Sequence, residues 1–519
     1  MADDVTHYDA IEAYCGALSY LPGQSAGVHV WCATSSYDVD VRPWGGDVVW
    51  QASGLPGVAH PTPADADSNG CGWPVSVEVP VGDDWPSGMY LITLRATGTD
   101  AAIGTAIAPD RTVGHAMFVV RAARPTAAAL LVVATNTYNA YNNWGGCSLY
   151  TGGHQVSFDR PFGRGMLVRP HTERDDRKSR PVRDGEQPDV DGLVYQAYRN
   201  EHGYPGYMSS AGWHTYERRF VEWAQREGIT FDYAVSSDLA RTPEVADGYR
   251  LLIGAGHDEY WSAAQRDTVE AHVARGGNYA SLSGNTMFWQ VRLTDDGRTM
   301  MAHKYSAHRN DPVVGTPASN TMTGMWCDPI VGRPEWRFLG AGSAYGLYSR
   351  FGQATPRASG GFTIYRDDHW MFEGTGLRYG DQLGATLGAV GYETVGVQLG
   401  LDEYGLPIAL QPDAPPQTEI VAMAPASSLA EGEYPKSVAA SSDQCDLEFV
   451  AERLYGEITP HTLRRVRHGN AVMLTCRPAG DSGGTVATVG STDWVYALDD
   501  PLVGKVTANI VRRLSEPAG

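Results

Sequence analysis

Three tyrosines, Tyr138, Tyr141 and Tyr150, fall within NTYNAYNNWGGCSLY from Asn136, and His257, Asp258 and Glu259 fall together in GHDEYW from Gly256. Phenols and a carboxylate offer oxygen alone. A phenol has a pKa of about 10, so it serves as a ligand only when a strongly polarising cation displaces its proton. An oxygen-only set disfavours soft metals and suits a hard cation. Mononuclear ferric iron fits best, because its charge offsets the cost of deprotonating two phenols. HExxH and paired-histidine spacings are absent. Taken singly, each residue has a plainer role. A tyrosine at a strand end is usually a packed ring with a bonded hydroxyl, Glu259 would serve as a helix cap, and His257 as a structural imidazole.

What favours a site is the pair of elements that must carry these residues. AAALLVVAT, ending at Thr135, is a short apolar run of the kind that forms a buried parallel strand, and RLLIGAG, ending at Gly256, is another. Ligands in open α/β sheets bind at the carboxyl ends of strands. FDYAV and NYASLSGN supply further strands, while TYERRFVEWAQREGI and SAAQRDTVEAHVARGG have helical periodicity. This alternation from Arg124-Pro125 onward predicts an α/β domain over 125–519 with a mainly parallel sheet. The charged segment 171–192 reads as an exposed insertion. Beyond Met301 the chain reads as β-rich, with GGTVATVGSTDWVYAL as a last strand and a helix from about Leu502. Before the boundary, residues 1–124 hold short alternating strands broken by DSNGCGWP and GDDWPSGMY, which predict an antiparallel β-sandwich. Asn285, Lys304 and Glu393 are the polar residues that follow the fourth strand.

With 519 residues the chain needs more than one core. Sixty acidic against forty basic residues give a net charge of −20, which argues against nucleic-acid or anionic-membrane partners. The opening residues have neither a basic region nor an apolar one, so the expected address is cytoplasmic. Seven scattered cysteines without CxxC spacing imply no disulfide framework and no zinc ribbon.

Taken in order, NTYNAYNNWGGCSLY, SFDRP, GHDEYW, SGNTMFW, HKYSAH, GYE and GSTDWVYAL resemble the large subunit of N,N-dimethylformamidase and its relatives, over roughly residues 128–515. The resemblance implies a sheet similar to the class I glutamine-amidotransferase-like fold. It also implies hydrolysis of a formamide-type C–N bond at an iron held by two tyrosines and a glutamate. Carried over, the ligands are Tyr138, Tyr150 and Glu259, with Tyr141 and Tyr195 as alternatives for the second tyrosine. His257, Asn285, Lys304 and Glu393 surround the metal as catalytic residues. The chain looks compact beside larger family members, and the dimethylformamidase has a separate small subunit. The implied partners are therefore a small amide and either an accessory subunit or a second copy of the chain.

The expectation is an iron-dependent amidohydrolase in which Asn285 holds the developing oxyanion and His257, Glu393 or Lys304 moves protons to the departing amine. One rival is a metal-free hydrolase or transferase on the same scaffold. It needs a nucleophile at a strand-to-helix elbow, and only Cys147 in GGCSL lies near the crevice. A second rival is a non-catalytic binding protein.

Overall fold

Period-two alternation organises the first hundred residues around two cores at once. The computed structural model describes residues 7–100, 111–169, 199–294, 296–346, 360–427 and 444–516. Ile11–Cys15, Ser25–Cys32 and Val75–Pro80 form a three-stranded antiparallel sheet. Ser19–Tyr20, Val113–Val120, Gly88–Asp100, Thr34–Pro43 and Trp50–Pro56, in that order, form a five-stranded one, antiparallel except for its first pair. Val28, Val30, Val39, Val41, Tyr90, Ile92, Leu94 and Phe118 meet between them in one core. The alternate residues of the two long strands, Met89, Leu91, Met117 and Val119, point the other way and join the main core of the following part.

That following part is built on a nine-stranded sheet. Its order is Asp232–Val235, Ala129–Val133, Leu251–His257, Asn278–Gly284, Val486–Thr488, His468–Cys476, Glu419–Ser427, Phe362–Ile364 and Gln382–Leu383. The first five strands are parallel and every later pairing is antiparallel. Ala129–Val133 and Leu251–His257 are buried along their whole length, as strands covered on both faces must be. Register aligns Gly256 with Ser283 and His257 with Gly284, so these two strands end level.

Three helices, Glu217–Arg226, Ala263–Ala274 and Pro501–Ser515, arise where the sequence placed them; the first and last are amphipathic, whereas the second buries Gln265, Arg266 and His272 beside Val269 and Val273. Ser262 caps the second by accepting from the Gln265 amide at 3.2 Å, and Asp500 caps the third by accepting from Leu502 at 2.9 Å. Two local expectations change. The strand in GGTVATVGSTDWVYAL stops at Thr488, and Thr492–Ala497 is a 3-10 helix. Gly490 at φ +73 turns the chain, and the Ser491 hydroxyl accepts from the Asp493 amide at 3.2 Å to start the helix. The tyrosine stretch after Ala129–Val133 is itself a helix, Thr135–Tyr141. The charged segment 171–192 and Tyr195 lie outside the described residues.

Candidate metal centre

The penultimate residue of Leu251–His257 is Gly256, whose φ is +81, and a Cβ there would lie 2.3 Å from the Cβ of Tyr216. Only glycine lets the chain turn this close to its neighbour. The turn delivers His257, Asp258 and Glu259, all buried, to the end of the strand. Thr137, on the helix opposite, accepts the Glu259 amide at 3.0 Å and fixes the exit.

Two phenols converge on Glu259. Tyr141 donates to its Oε2 at 2.8 Å, and Tyr150 to its Oε1 at 2.9 Å and Oε2 at 3.1 Å. Their rings stack at 4.3 Å. Tyr260 donates to the Tyr150 oxygen at 2.8 Å, which adds a phenol that sequence reading left without a role. Burial, and next the Glu259 charge, push the phenols of Tyr141 and Tyr150 well above their ordinary pKa. Burial would also raise Glu259, but His257, Lys304 and Tyr141 outweigh it and hold its carboxyl below the usual value.

Tyr138 is not brought to this cluster. It is three residues before Tyr141 on the same helix, about 60° away around the axis. Its buried phenol faces Glu217 and then Asp258, and burial followed by those charges raises its pKa. The structure therefore brings together Tyr150, Glu259 and the alternative Tyr141. Residues three apart share a helix face, so it is their different neighbours, Glu259 for Tyr141 and Glu217 for Tyr138, that separate the two tyrosines.

His257 is held from both sides. Its Nδ1 lies 2.6 Å from the Ser210 carbonyl, which can only accept, so Nδ1 carries a proton. Its Nε2 lies 2.6 Å from Glu393 Oε2 and 3.3 Å from Glu259 Oε2. Burial works to lower its pKa, but Glu393 and Glu259 outweigh that and raise it to about 10. Glu393 reaches the cluster because Gly284 lets the chains touch: a Cβ there would lie 2.2 Å from the Glu393 carbonyl oxygen. The Thr492 amide donates to that oxygen at 3.0 Å. Tyr392, at φ +50, donates to the Ser210 hydroxyl at 3.3 Å, a contact the sequence did not signal.

Asn285 follows Gly284 at φ +49, fully buried, and neither end of its carboxamide has a hydrogen-bond partner among the described residues. A left-handed asparagine with an unsatisfied buried amide is costly and suits a group aimed at something bound. Lys304 is also left-handed, at φ +51, and its Nζ stands 3.1 Å from the centre of the Tyr150 ring. Cys147 sits apart from these contacts: it is half-buried, its amide donates to Asp67 and its carbonyl accepts from Arg160.

The donor set fits a hard cation. Each of the two phenols donates a hydrogen bond to one carboxylate, and a cation among the three oxygens would take the place of those protons. His257, Glu259 and Glu393 can each also offer one ligand atom, all within 4.8 Å of one another. Among the described residues no helix is long and apolar enough to cross a membrane.

Residues 38–509 match the family model described as N,N-dimethylformamidase beta subunit-like, C-terminal. The N,N-dimethylformamidase beta subunit of Alcaligenes sp is 26% identical over 317 residues, which is 57% of this chain and 36% of the relative. That of Paracoccus aminophilus is 24% identical over 229 residues, 43% of this chain and 28% of the relative. The matches thus span about a third of the length of these curated relatives.

Proposed function

The chain belongs to the N,N-dimethylformamidase beta subunit-like family, and from that premise we propose that it is an iron-dependent amidohydrolase cleaving small N-substituted formamides to a carboxylate and an amine. The observation that carries the reading is the convergence of Tyr141 and Tyr150 on Glu259 at 2.8 to 3.1 Å, with His257 against the same carboxylate and Glu393 against His257. Tyr141, Tyr150 and Glu259 would hold a mononuclear ferric ion, with Tyr141 taking the place that the sequence resemblance gave to Tyr138. Bound there, the ion supplies Lewis acidity towards the amide oxygen and the attacking water.

The protein's own residues do the rest. Asn285 donates its amide N–H to the carbonyl oxygen as that oxygen gains charge. Glu393 takes a proton from the water as its oxygen adds to the carbonyl carbon. His257, pinned through Nδ1, keeps the Glu393 carboxylate oriented. When the C–N bond breaks, the same proton passes to the nitrogen, which must leave as a neutral amine. Lys304 keeps positive charge beside the Tyr150 ring. The relatives are named as beta subunits, and a further subunit or a second copy of this chain belongs to the proposal.

A second reading rests on the trio His257, Glu259 and Glu393 as the metal ligands. It is the weaker one, because it leaves the two phenols that donate to Glu259 without a role. An iron assay, a visible spectrum and amine release from N,N-dimethylformamide test both. Tyrosinate on ferric iron gives a charge-transfer band and coloured protein. Active protein holding stoichiometric zinc and no visible band would overturn the assignment.

A further inference from the structure

Residues 142–149, which separate the helix Thr135–Tyr141 from Tyr150, form neither helix nor strand, so their backbone groups need partners elsewhere. From one side Arg160, fully buried, donates to the carbonyl oxygens of Trp144 at 2.7 Å, Asn142 at 2.9 Å and Cys147 at 3.3 Å. From the other side the partners come from the N-terminal part. Asp67, in the short helix Ala66–Asn69, accepts the Cys147 amide through Oδ2 at 2.5 Å. Glu12, in Ile11–Cys15, accepts the Trp144 indole N–H at 2.6 Å. The fit is tight: a Cβ on Gly146 would lie 2.7 Å from Asp67 Oδ2.

We propose that Asp67 is a positioning residue of the metal centre, clamping the segment 142–149 so that the Tyr150 oxygen stays on Glu259. This rests on the reading of Tyr141, Tyr150 and Glu259 as an iron site. Only three residues separate the clamped amide from Tyr150, and two hydrogen bonds stiffen them: the Ser148 hydroxyl accepts the Tyr150 amide at 3.1 Å, and the Leu149 amide donates to Ala140 at 3.0 Å. Displacement at Cys147 therefore reaches the phenol, and a ligand set loosened by about 1 Å loses its geometry. The N-terminal part thereby becomes a structural member of a site to which it contributes no donor atom.

Two variants test this. Asp67→Ala removes the acceptor, whereas Asp67→Asn keeps an oxygen that can still accept the Cys147 amide. The measurements are amide hydrogen exchange over 142–150 in metal-free protein, the rate of iron release to a chelator, and the wavelength of the visible band. In Asp67→Ala, exchange in that segment rises, the band shifts and iron leaves about 10- to 100-fold faster, the scale on which residues behind metal ligands act. Asp67→Asn behaves as wild type. Wild-type exchange and release in Asp67→Ala overturn the proposal, as does a general drop in melting temperature with exchange raised uniformly. Wild-type protein without iron overturns the metal reading instead. In that case the exchange measurement still decides whether Asp67 clamps the segment.

Discussion

At the scale of single residues, the angular difference between Tyr138 and Tyr141 makes a sharp test. Tyr141→Phe and Tyr150→Phe each remove one oxygen aimed at Glu259 and keep the ring, so both should lose iron and the visible band. Tyr138→Phe removes an oxygen facing Glu217 and should keep both; metal content of the three variants side by side checks this. Asn285→Ala should keep iron and colour yet lose turnover by about a hundredfold, the scale of one deleted oxyanion donor. Retained turnover would make Asn285 scaffolding. These residues were readable because rare chemistry sits in short motifs. Glu259, His257, Asn285, Lys304, Glu393 and Tyr150 were singled out by type, by position and by the family resemblance, and the structure sets Tyr150 and His257 against Glu259 and Glu393 against His257. That Tyr141 rather than Tyr138 also reaches Glu259 was not readable, because it depends on which way each phenol faces within the fold. Tyr260 was passed over because it touches Tyr150, a neighbour 110 positions away.

Elements explain how that facing is held. Glu217 accepts the amide of Ala134 at 3.1 Å, just before the tyrosine helix begins, and is itself buried. Burial raises its carboxyl to about 8, against weaker pull from its hydrogen bonds. A raised carboxyl is neutral in the folded protein, so its contribution is complete below the unfolded value of about 4.3 and fades as pH climbs through about 8. Stability should therefore decline over that window through Glu217, and Glu217→Gln should flatten the decline. Thermal melts of both proteins between pH 5 and 9 measure it, and parallel curves would refute the assignment. Elements with a strong apolar pattern or clear end signals were legible from the chain alone: Ala129–Val133, Asn278–Gly284, Ala263–Ala274 and Pro501–Ser515 fall where the sequence put them. Those without were not. Thr135–Tyr141 has no apolar period, and all seven residues are buried, so tertiary surroundings rather than amphipathicity make it a helix.

For the molecule as a whole, a metal at the proposed site would be a tenant of a fold that large apolar clusters already support. Removing it with a chelator should leave circular dichroism unchanged and lower the melting temperature, as loss of any native-state ligand does. Unfolding on chelation would contradict this. The sheet order adds a consequence for biosynthesis. Val486–Thr488, the last strand in chain order, lies between Asn278–Gly284 and His468–Cys476 in the middle of the sheet. A growing chain can pair the parallel half early, but that half keeps an open edge until this strand arrives, and exposed edges invite wrong partners. Thr492, which supports Glu393, emerges later still. A ribosome-bound chain thus holds its two tyrosines and Glu259 long before it can close the site around them, so iron loading at the proposed site would follow translation.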